Sequence, residues 1–243
     1  MVDVNSEMKK LAAIKAVDDY IASGMVVGLG TGSTASHAIK YLAEKIKSGK
    51  IAGIKGVATS DTTHELASSL GITLVDIDTV DSIDVAIDGA DEIDMNLNMI
   101  KGGGGALLRE KMIEIKANKF IVIADEYKLN KDNLGCKFPI PVEIVKFGHK
   151  TICKQITSVT GCDSWQLRIK NNELYVTNNG NYIVDILFKY PPPNVQMISD
   201  KLRDIIGVVC HGLFIDMANE CIICDKNLNV HKLDKNNAIN YFG

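Results

Sequence analysis

Short apolar runs alternate with helix-like segments in the first half of the chain. Apolar residues at positions 35–46 recur every three or four positions, which is typical of a helix. Strands and helices that alternate in this way favour an α/β fold with a doubly wound, largely parallel (Rossmann-like) sheet. The pattern predicts strands over Met25–Leu29, Ile54–Ala58, Thr73–Ile77, Val85–Ile87 and Phe120–Ala124, and helices that end near Leu70 and cover Ala106–Ala117.

After Pro139 the pattern changes to β-α-β-β-α-β, the split unit of ferredoxin-like α+β domains. The segment Cys221–Val230 predicts a strand or hairpin that returns to the first sheet. We therefore predict a Rossmann-like catalytic domain over residues 1–134 and 213–243, and a smaller ferredoxin-like domain over residues 135–212. The smaller unit has predicted strands at Val142–Phe147, Trp165–Ile169, Tyr182–Phe188 and from Val208, and predicted helices at Lys150–Thr157 and Val195–Ile206.

Composition limits the classes of protein that need considering. The 243 residues are 46% hydrophobic and 23% charged, which excludes a disordered chain. With 27 basic and 30 acidic residues the net charge is −3, so no global basic field attracts nucleic acid or an acidic membrane. The N-terminal segment is amphipathic and acid-bearing rather than a leader peptide, and no apolar run is long enough to span a bilayer. We expect a cytoplasmic protein.

Cysteines are confined to the second half of the chain. Cys221 and Cys224 have the spacing of a redox or zinc pair, but no second pair and no nearby histidine accompanies them. We expect buried, reduced thiols at Cys136, Cys153, Cys162, Cys210, Cys221 and Cys224.

A glycine- and hydroxyl-rich segment, Gly28–Ala35, lies between a predicted strand and a predicted helix. Glycine lets the backbone approach a ligand closely, and free N–H groups at a helix start favour an anion. The hydroxyl groups of Thr31, Ser33 and Thr34 suit the three oxygens of one terminal phosphate. The same letters match a dinucleotide fingerprint, although no acid lies about 20 positions on at the end of the next predicted strand, and Asp61 lies about 30 positions beyond Gly30. A tight turn with a Ser/Thr helix cap is the third interpretation.

Acidic residues cluster at the end of the next predicted buried strand, where open α/β sheets bind ligands. Asp88 and Asp91 could orient sugar hydroxyls, move protons or hold a divalent metal, but the spacing does not match a calcium loop. A solvated acidic loop is the alternative for both, and for Asp94 it is the preferred interpretation.

Lys101 precedes four consecutive glycines and a strong helix. Such a loop can wrap a small ligand with its N–H groups while the lysine supplies a point charge. Glu110 on the helix is flanked by Ala106, Ile113 and Ala117, so partial desolvation would raise its pKa and make it a better base. The alternative is a half-exposed glutamate that pairs with a neighbouring lysine.

Three further predictions come from shorter signals. Thr62 and Glu65 have the spacing of a capping box at a helix start. Lys128 lies just beyond a strand end and could reach an anion, and Lys9 and Lys10 are weaker candidates for the same role.

Together these segments resemble the type A ribose-5-phosphate isomerases over nearly the whole chain. The sequence departs from the family pattern at Asn178, where an Asp is usual, and at Leu108, where a hydroxyl residue is common. The matching motifs are Gly30-Thr-Gly-Ser-Thr34, Asp88-Gly-Ala-Asp-Glu92, Lys101-Gly-Gly-Gly, Arg109-Glu110-Lys111, Ala124-Asp125-x-x-Lys128, Phe138-Pro-x-Pro141-Val-Glu143 and Gly207-Val-Val…Gly212-Leu-Phe214.

The resemblance implies interconversion of D-ribose 5-phosphate and D-ribulose 5-phosphate through a cis-enediolate, in the non-oxidative branch of the pentose phosphate pathway, without metal or cofactor. It implies a homodimer, sometimes a tetramer, with the small domain covering the site or serving in assembly. Glu110 would be the base, Lys101 the oxyanion stabiliser, and Asp88 and Asp91 the groups that move hydroxyl protons. The implied substrate-binding residues are Thr31, Gly32, Ser33, Thr34, Gly89, Ala90, Gly102, Gly103, Gly104 and Lys128, with Lys10 as a further helper.

Three other functions remain open at this point. A coenzyme A transferase would use the loop glutamate as a nucleophile, but the chain shows no evident nucleotide-binding extension. A non-catalytic sugar-phosphate sensor would be supported by a preceding helix-turn-helix unit, for which the roughly 24 residues before the first strand leave no room. A Rossmann oxidoreductase is the remaining alternative.

Overall fold

A six-stranded sheet forms the centre of the computed structural model, which describes residues 3–131, 133–135, 137–192, 194–238 and 241. Its strands are β1 (Val26–Leu29), β2 (Lys55–Ala58), β3 (Val85–Asp88), β6 (Phe120–Asp125), β14 (Glu220–Cys224) and β15 (Val230–Leu233). Their order is β15-β14-β6-β3-β1-β2. The first five in the chain are mutually parallel, and β15 pairs antiparallel with β14 at the edge. The predicted α/β sheet is confirmed, including the return of the last hairpin.

Helices cover both faces of this sheet, which explains why its strands are apolar throughout rather than alternating. Every residue of β6 is buried. The helices of this part are α1 (Val4–Tyr20), α2 (Ser33–Lys47), α3 (Asp61–Ser69) and α4 (Leu107–Lys116). Side chains of α1 and α2 pack on one face, against Val27, Val85 and Ile121. Side chains of α4 pack on the other face, against Val122 and Ile223.

A second sheet of four antiparallel strands carries the β-α-β-β-α-β pattern that the sequence predicts. Its order is that of the ferredoxin-like arrangement, with the last strand beside the first. Ile152 and Ile156 of the first helix and Leu202 of the second pack on its buried face. Its elements are β7 (Ile140–Ile144), α5 (His149–Thr160), β8 (Ser164–Leu167), β11 (Tyr182–Leu187), α6 (Val195–Arg203) and β12 (Val208–His211), with a short hairpin of β9 (Ile169–Lys170) and β10 (Glu173–Leu174). The domain boundaries stay a prediction.

A small three-stranded sheet joins the two larger ones. It consists of β4 (Glu92–Ile93), β5 (Met99–Ile100) and β13 (Leu213–Phe214), in the order β13-β5-β4. Just before β13, the N–H of Gly212 donates to the carbonyl of Pro141 (2.7 Å), and its carbonyl accepts from the N–H of Lys101 (2.9 Å). A Cβ atom at position 212 would lie 2.2 Å from the Lys101 carbonyl oxygen, so only glycine fits this junction.

Two local predictions are wrong. Thr73–Ile77 contains only an isolated bridge between Leu74 and Gly56, because the chain then enters a 3-10 helix over Ile77–Thr79. The predicted capping box Thr62–Glu65 does not form. Helix α3 begins two residues earlier, at Asp61, because the extended backbone at Ser60 lets its hydroxyl cap the Thr63 N–H at 3.0 Å.

The five described cysteines are buried free thiols, as expected, and Cys136 lies outside the described residues. Cys221 packs in the core on the α4 side of the sheet and Cys224 in the core on the α1 side. Residues three apart on a strand face opposite sides, so this pair cannot share a metal or a disulfide. Within the described ranges, no helix has the length and apolarity needed to cross a membrane.

Candidate active site

Predicted site residues meet at the carboxyl ends of β1 and β3. Strand order runs outward in opposite directions from these two neighbours, which makes them the topological switch point where open α/β sheets bind ligands. The β1 end continues into Gly30–Thr34 and the start of α2, and the β3 end carries Asp88. The glycine loop after β5 approaches the same edge and leads into α4.

Asp88 links the first two segments. Its Oδ1 accepts from the N–H groups of Thr31 (3.0 Å) and Gly89 (2.7 Å). A Cβ atom at Gly30 would lie 2.1 Å from that oxygen, so the close approach requires glycine. Asp88 is 1% exposed and is therefore not part of a solvated acidic loop.

Lys101 is the centre of a buried charge cluster. Its side chain is 2% exposed, and its Nζ lies 2.9 Å from Asp88 Oδ2, 3.1 Å from Glu114 Oε1 and 3.9 Å from Glu110 Oε2. It also donates to the carbonyl of Gly89 (2.6 Å). Burial by itself lowers the pKa of a lysine, but the three carboxylates outweigh it and raise the pKa of Lys101 above its ordinary value. The three carboxylates therefore favour the charged form of Lys101 despite its burial.

Glu110 has the properties of a general base held in a dry site. Burial raises its pKa to about 8; Lys101 opposes this shift, while Asp88 and Asp91 add to it. A base whose pKa lies near the working pH transfers protons in both directions most effectively. The alternative of a half-exposed surface glutamate is wrong, because Glu110 is only 5% exposed.

A cavity of about 110 Å³ opens beside Lys101 and Glu110. Across it, Asp91 Oδ2 accepts from the N–H of Gly103 (2.7 Å). Predominantly polar groups of both charges line a space suited to a small polar molecule. The lining residues are Lys9, Thr31, Gly32, Ser33, Thr34, Gly89, Ala90, Asp91, Lys101, Gly102, Gly103, Gly104, Glu110 and Lys128.

Comparison with known families decides which proteins share this arrangement. A family model described as Ribose 5-phosphate isomerase A (phosphoriboisomerase A) matches residues 55–227, more than half of the chain. The chain belongs to the ribose 5-phosphate isomerase A family.

Relatives of this isomerase family align over nearly the whole chain. A probable ribose-5-phosphate isomerase 2 of Arabidopsis thaliana is 47% identical over 221 residues, covering 89% of this chain and 83% of the relative. A ribose-5-phosphate isomerase of Plasmodium falciparum is 40% identical over 231 residues, covering 94% and 98%.

Solved isomerase structures agree with the fold described above. One from Plasmodium falciparum matches with a TM-score of 0.92 at 39% identity, covering 94% of this chain and 98% of that one. A D-ribose-5-phosphate isomerase in complex with phospho-erythronic acid matches with a TM-score of 0.88 at 43% identity, with the same coverage.

In this member of the isomerase A family, the hydroxyl residues of the first motif face different ways. The Thr31 hydroxyl lies 2.6–2.9 Å from those of Thr59, Ser60 and Thr63 and so contacts α3, although Thr31 also lines the cavity. Helix α2 has Gly32 as its N-cap and no side-chain cap, so a Ser/Thr cap does not occupy its first N–H groups. These donors remain available to an anion.

The lysines near the entrance differ from the sequence prediction in one respect. Lys128 lines the cavity as expected. Lys10 is exposed and does not line it; Lys9 does, and it donates to the Ser33 hydroxyl at 3.1 Å. The phase of α1 decides this, because burial of Met8 and Ala12 turns Lys9 towards α2.

Asp94 does not line the cavity, but the solvated loop expected for it is wrong, because Asp94 is only 7% exposed. Its carboxylate accepts from the N–H groups of Asn96 and Asn98 (both 2.8 Å), which closes the turn between β4 and β5.

Sequence reasoning missed Glu114. This residue lies one turn beyond Glu110 and is fully buried, and burial raises its pKa well above the ordinary value while Lys101 opposes the shift. Two glutamates four positions apart share a helix face, so the same apolar ridge that singled out Glu110 also pointed to Glu114.

A larger cavity of about 560 Å³ lies between α3 and α4, beside Asp61, His64 and Arg109. It contains none of the predicted site residues, and its arginine is already paired with Asp61 at 2.7 Å. The smaller cavity is therefore the candidate active site.

Proposed function

We propose that this protein interconverts D-ribose 5-phosphate and D-ribulose 5-phosphate through a cis-enediolate. One observation carries the proposal: a buried carboxylate, Glu110, and a buried ammonium group, Lys101, lie 3.9 Å apart at the wall of a small polar cavity. Family membership supports it. So does the solved relative that holds phospho-erythronic acid, whose carboxylate stands where the intermediate has its enediolate.

Each step of the reaction has a group suited to it. Glu110 takes the proton from C2 of the open-chain aldose and returns it to C1. Lys101 and the N–H groups of the Gly102–Gly104 loop stabilise the oxygen that becomes anionic, and one such preorganised donor contributes about 3–4 kcal/mol. Asp88 and Asp91 move hydroxyl protons and assist ring opening. Asp91 is the freer of the two, because its Oδ1 accepts from no donor within the described residues.

Phosphate binding is assigned to the other end of the cavity. Ser33 and Thr34 at the start of α2 line the cavity together with Lys128 and Lys9, and Lys9 donates to the Ser33 hydroxyl. Their N–H, hydroxyl and ammonium groups are the donors proposed to hold the phosphate. With a net charge of −3 the protein has no general attraction for phosphate, so these local donors must supply it.

A homodimer in the cytoplasm is part of the same proposal. It follows from the resemblance to the family, as does the division into a catalytic domain and a smaller domain that covers the site. Coenzyme A transfer and sugar-phosphate sensing are not favoured, because the relatives and structures described above carry the isomerase name.

The decisive test is ketose formation from ribose 5-phosphate, with a chelator present, by the wild type and Glu110→Gln. We expect kcat to fall by about 10²- to 10⁴-fold in the variant, the range that a general base contributes. The matched control is Glu65→Gln, an exposed glutamate on α3, which should keep full activity. An inactive wild type would remove the proposed function, and a fully active Glu110→Gln would remove the base.

A further inference from the structure

Arg168 reaches from the second sheet to the glycine loop of the active site. It lies between β8 and β9, and its Nη1 donates to the carbonyl oxygens of Gly102 (2.7 Å) and Gly103 (3.1 Å). Its Nε donates to Asp185 Oδ2 on β11 at 2.9 Å, and its Nη2 to Oδ1 of the same carboxylate. The guanidinium side chain is 14% exposed. A planar group held on two sides has little freedom to move.

Tyr175, which follows β10, holds the next carbonyl of the loop. Its hydroxyl donates to the Gly104 carbonyl at 3.3 Å. The carbonyls of Gly102, Gly103 and Gly104 thus all accept hydrogen bonds from Arg168 or Tyr175, which lie between β8 and β11. A run of glycines has more backbone freedom than any other sequence, so contacts from outside must fix its conformation.

Fixing these carbonyls also fixes the direction of the loop's N–H groups. In a trans peptide the C=O of one residue and the N–H of the next point in opposite directions. Gly103 N–H, opposite the Gly102 carbonyl, accordingly donates to Asp91 across the cavity at 2.7 Å. Gly104 N–H, opposite the Gly103 carbonyl, has no acceptor within the described residues, and Gly104 lines the cavity.

We propose that Arg168 and Tyr175 are positioning residues that aim the Gly104 N–H at the anionic oxygen of the enediolate. The proposal rests on the isomerase function proposed above. Neither side chain lines the cavity; each acts through a carbonyl of the loop. Asp185 is the anchor that keeps the guanidinium group in place.

The test compares kcat, KM and affinity for phospho-erythronic acid in Arg168→Ala, Arg168→Lys and Tyr175→Phe. We expect Arg168→Ala to lower kcat about 10- to 100-fold with KM nearly unchanged, because a misdirected donor weakens the transition state more than the ground state. Affinity for the analogue should fall in proportion to kcat/KM. Arg168→Lys should recover part of the loss, and Tyr175→Phe should show a smaller loss of about two- to fivefold.

The matched control is Arg203→Ala, an exposed arginine of α6 that pairs with Asp200 and does not touch the loop. It should leave all three quantities unchanged. Wild-type kcat and analogue affinity in the Arg168 variants, or a loss confined to KM, would overturn the inference. If Arg168→Ala fails to fold, Tyr175→Phe decides: wild-type kcat and analogue affinity in that folded variant overturn it too. An inactive wild type would instead contradict the proposed function itself.

Discussion

Lys101 and Lys111 both bury their ammonium groups beside the ring of Phe214, 5.4 and 4.4 Å from its centre. Lys101 faces three carboxylates. Lys111 instead donates to the backbone carbonyls of His211 (2.6 Å) and Leu213 (2.8 Å). The pKa values move in opposite directions: burial lowers that of Lys111, whereas the carboxylates outweigh burial and raise that of Lys101.

The difference is consistent with the two roles that we propose: the charge of Lys101 takes part in the reaction, whereas the charge of Lys111 stabilises the fold. The ammonium group of Lys111 donates to carbonyls at the junction of β12 and β13, and these hydrogen bonds hold α4 against that junction. Its neighbour His211 is neutral, since burial and Lys111 lower its pKa to about 3. Lys101 instead lines the cavity and is surrounded by the carboxylates of Asp88, Glu110 and Glu114. In the proposed reaction, a proton can move between Glu110 and the substrate beside this positive charge.

The largest expected effect is that of Lys101→Met. Asp88, Glu110 and Glu114 would lose the only cation that pairs with them within the described residues, and breaking a buried ion pair by removing one partner is destabilising by about 3–5 kcal/mol. We also expect kcat to fall at least about 10²-fold, the effect of losing one oxyanion donor. Urea unfolding and turnover measure the two effects. Lys15→Met, which removes an exposed pair with Asp19, should change stability by less than about 1 kcal/mol.

A smaller effect is expected for Lys111→Met. Two carbonyls would lose a charged donor, which should lower the free energy of unfolding by about 1–3 kcal/mol. Because Lys111 is paired with no carboxylate in the part of the chain that the structure describes and does not line the cavity, kcat should stay within about threefold of the wild type. A loss of kcat as large as that of Lys101→Met, in a folded variant, would show that the two lysines share one role.

The smallest effect is a change in how stability depends on pH. The pKa of Glu114 is higher in the folded protein than in the unfolded chain, so the folded state binds the proton more tightly. Stability is therefore lost as pH rises above about 4.5. Glutamine does not titrate, so Glu114→Gln should lose less melting temperature between pH 6 and pH 9 than the wild type. An equal or larger loss in Glu114→Gln would mean that ionisation of Glu114 does not destabilise the folded protein.

Much of the site was predictable because its parts are contiguous motifs at strand ends. Asp88, Lys101 and Glu110 each stand beside a glycine cluster or on an apolar helix ridge, and a parallel sheet brings its strand ends together. Arg168 and Tyr175 carry no such signal. They contact carbonyls more than sixty positions earlier in the chain, and nothing local in either segment specifies that pairing.

The fold shows the same limit. Long apolar segments such as Phe120–Asp125 can be recognised as strands from the sequence alone. In contrast, β4, β5 and β13 have two residues each, which is too short for any periodicity to be detected. The segment at Thr73–Ile77 has a strand's composition but lies beyond the sheet edge, where only Leu74 finds a partner. Thr31 was expected to face phosphate with its hydroxyl, and only the packing of α3 determines that the hydroxyl turns away.

The junction at Gly212 also has a meaning for how this fold can change. The second sheet begins at Ile140 and ends at His211, and beside these two ends the N–H of Gly212 donates to the carbonyl of Pro141. Residues 141–212 thus leave the rest of the fold and return to it at the same place. Insertions or deletions within this segment need not shift the backbone of Lys101, because its N–H donates to the carbonyl of Gly212, where the segment returns. Apart from the segments that carry Arg168 and Tyr175, this region can therefore vary in length and surface without moving the backbone of Lys101.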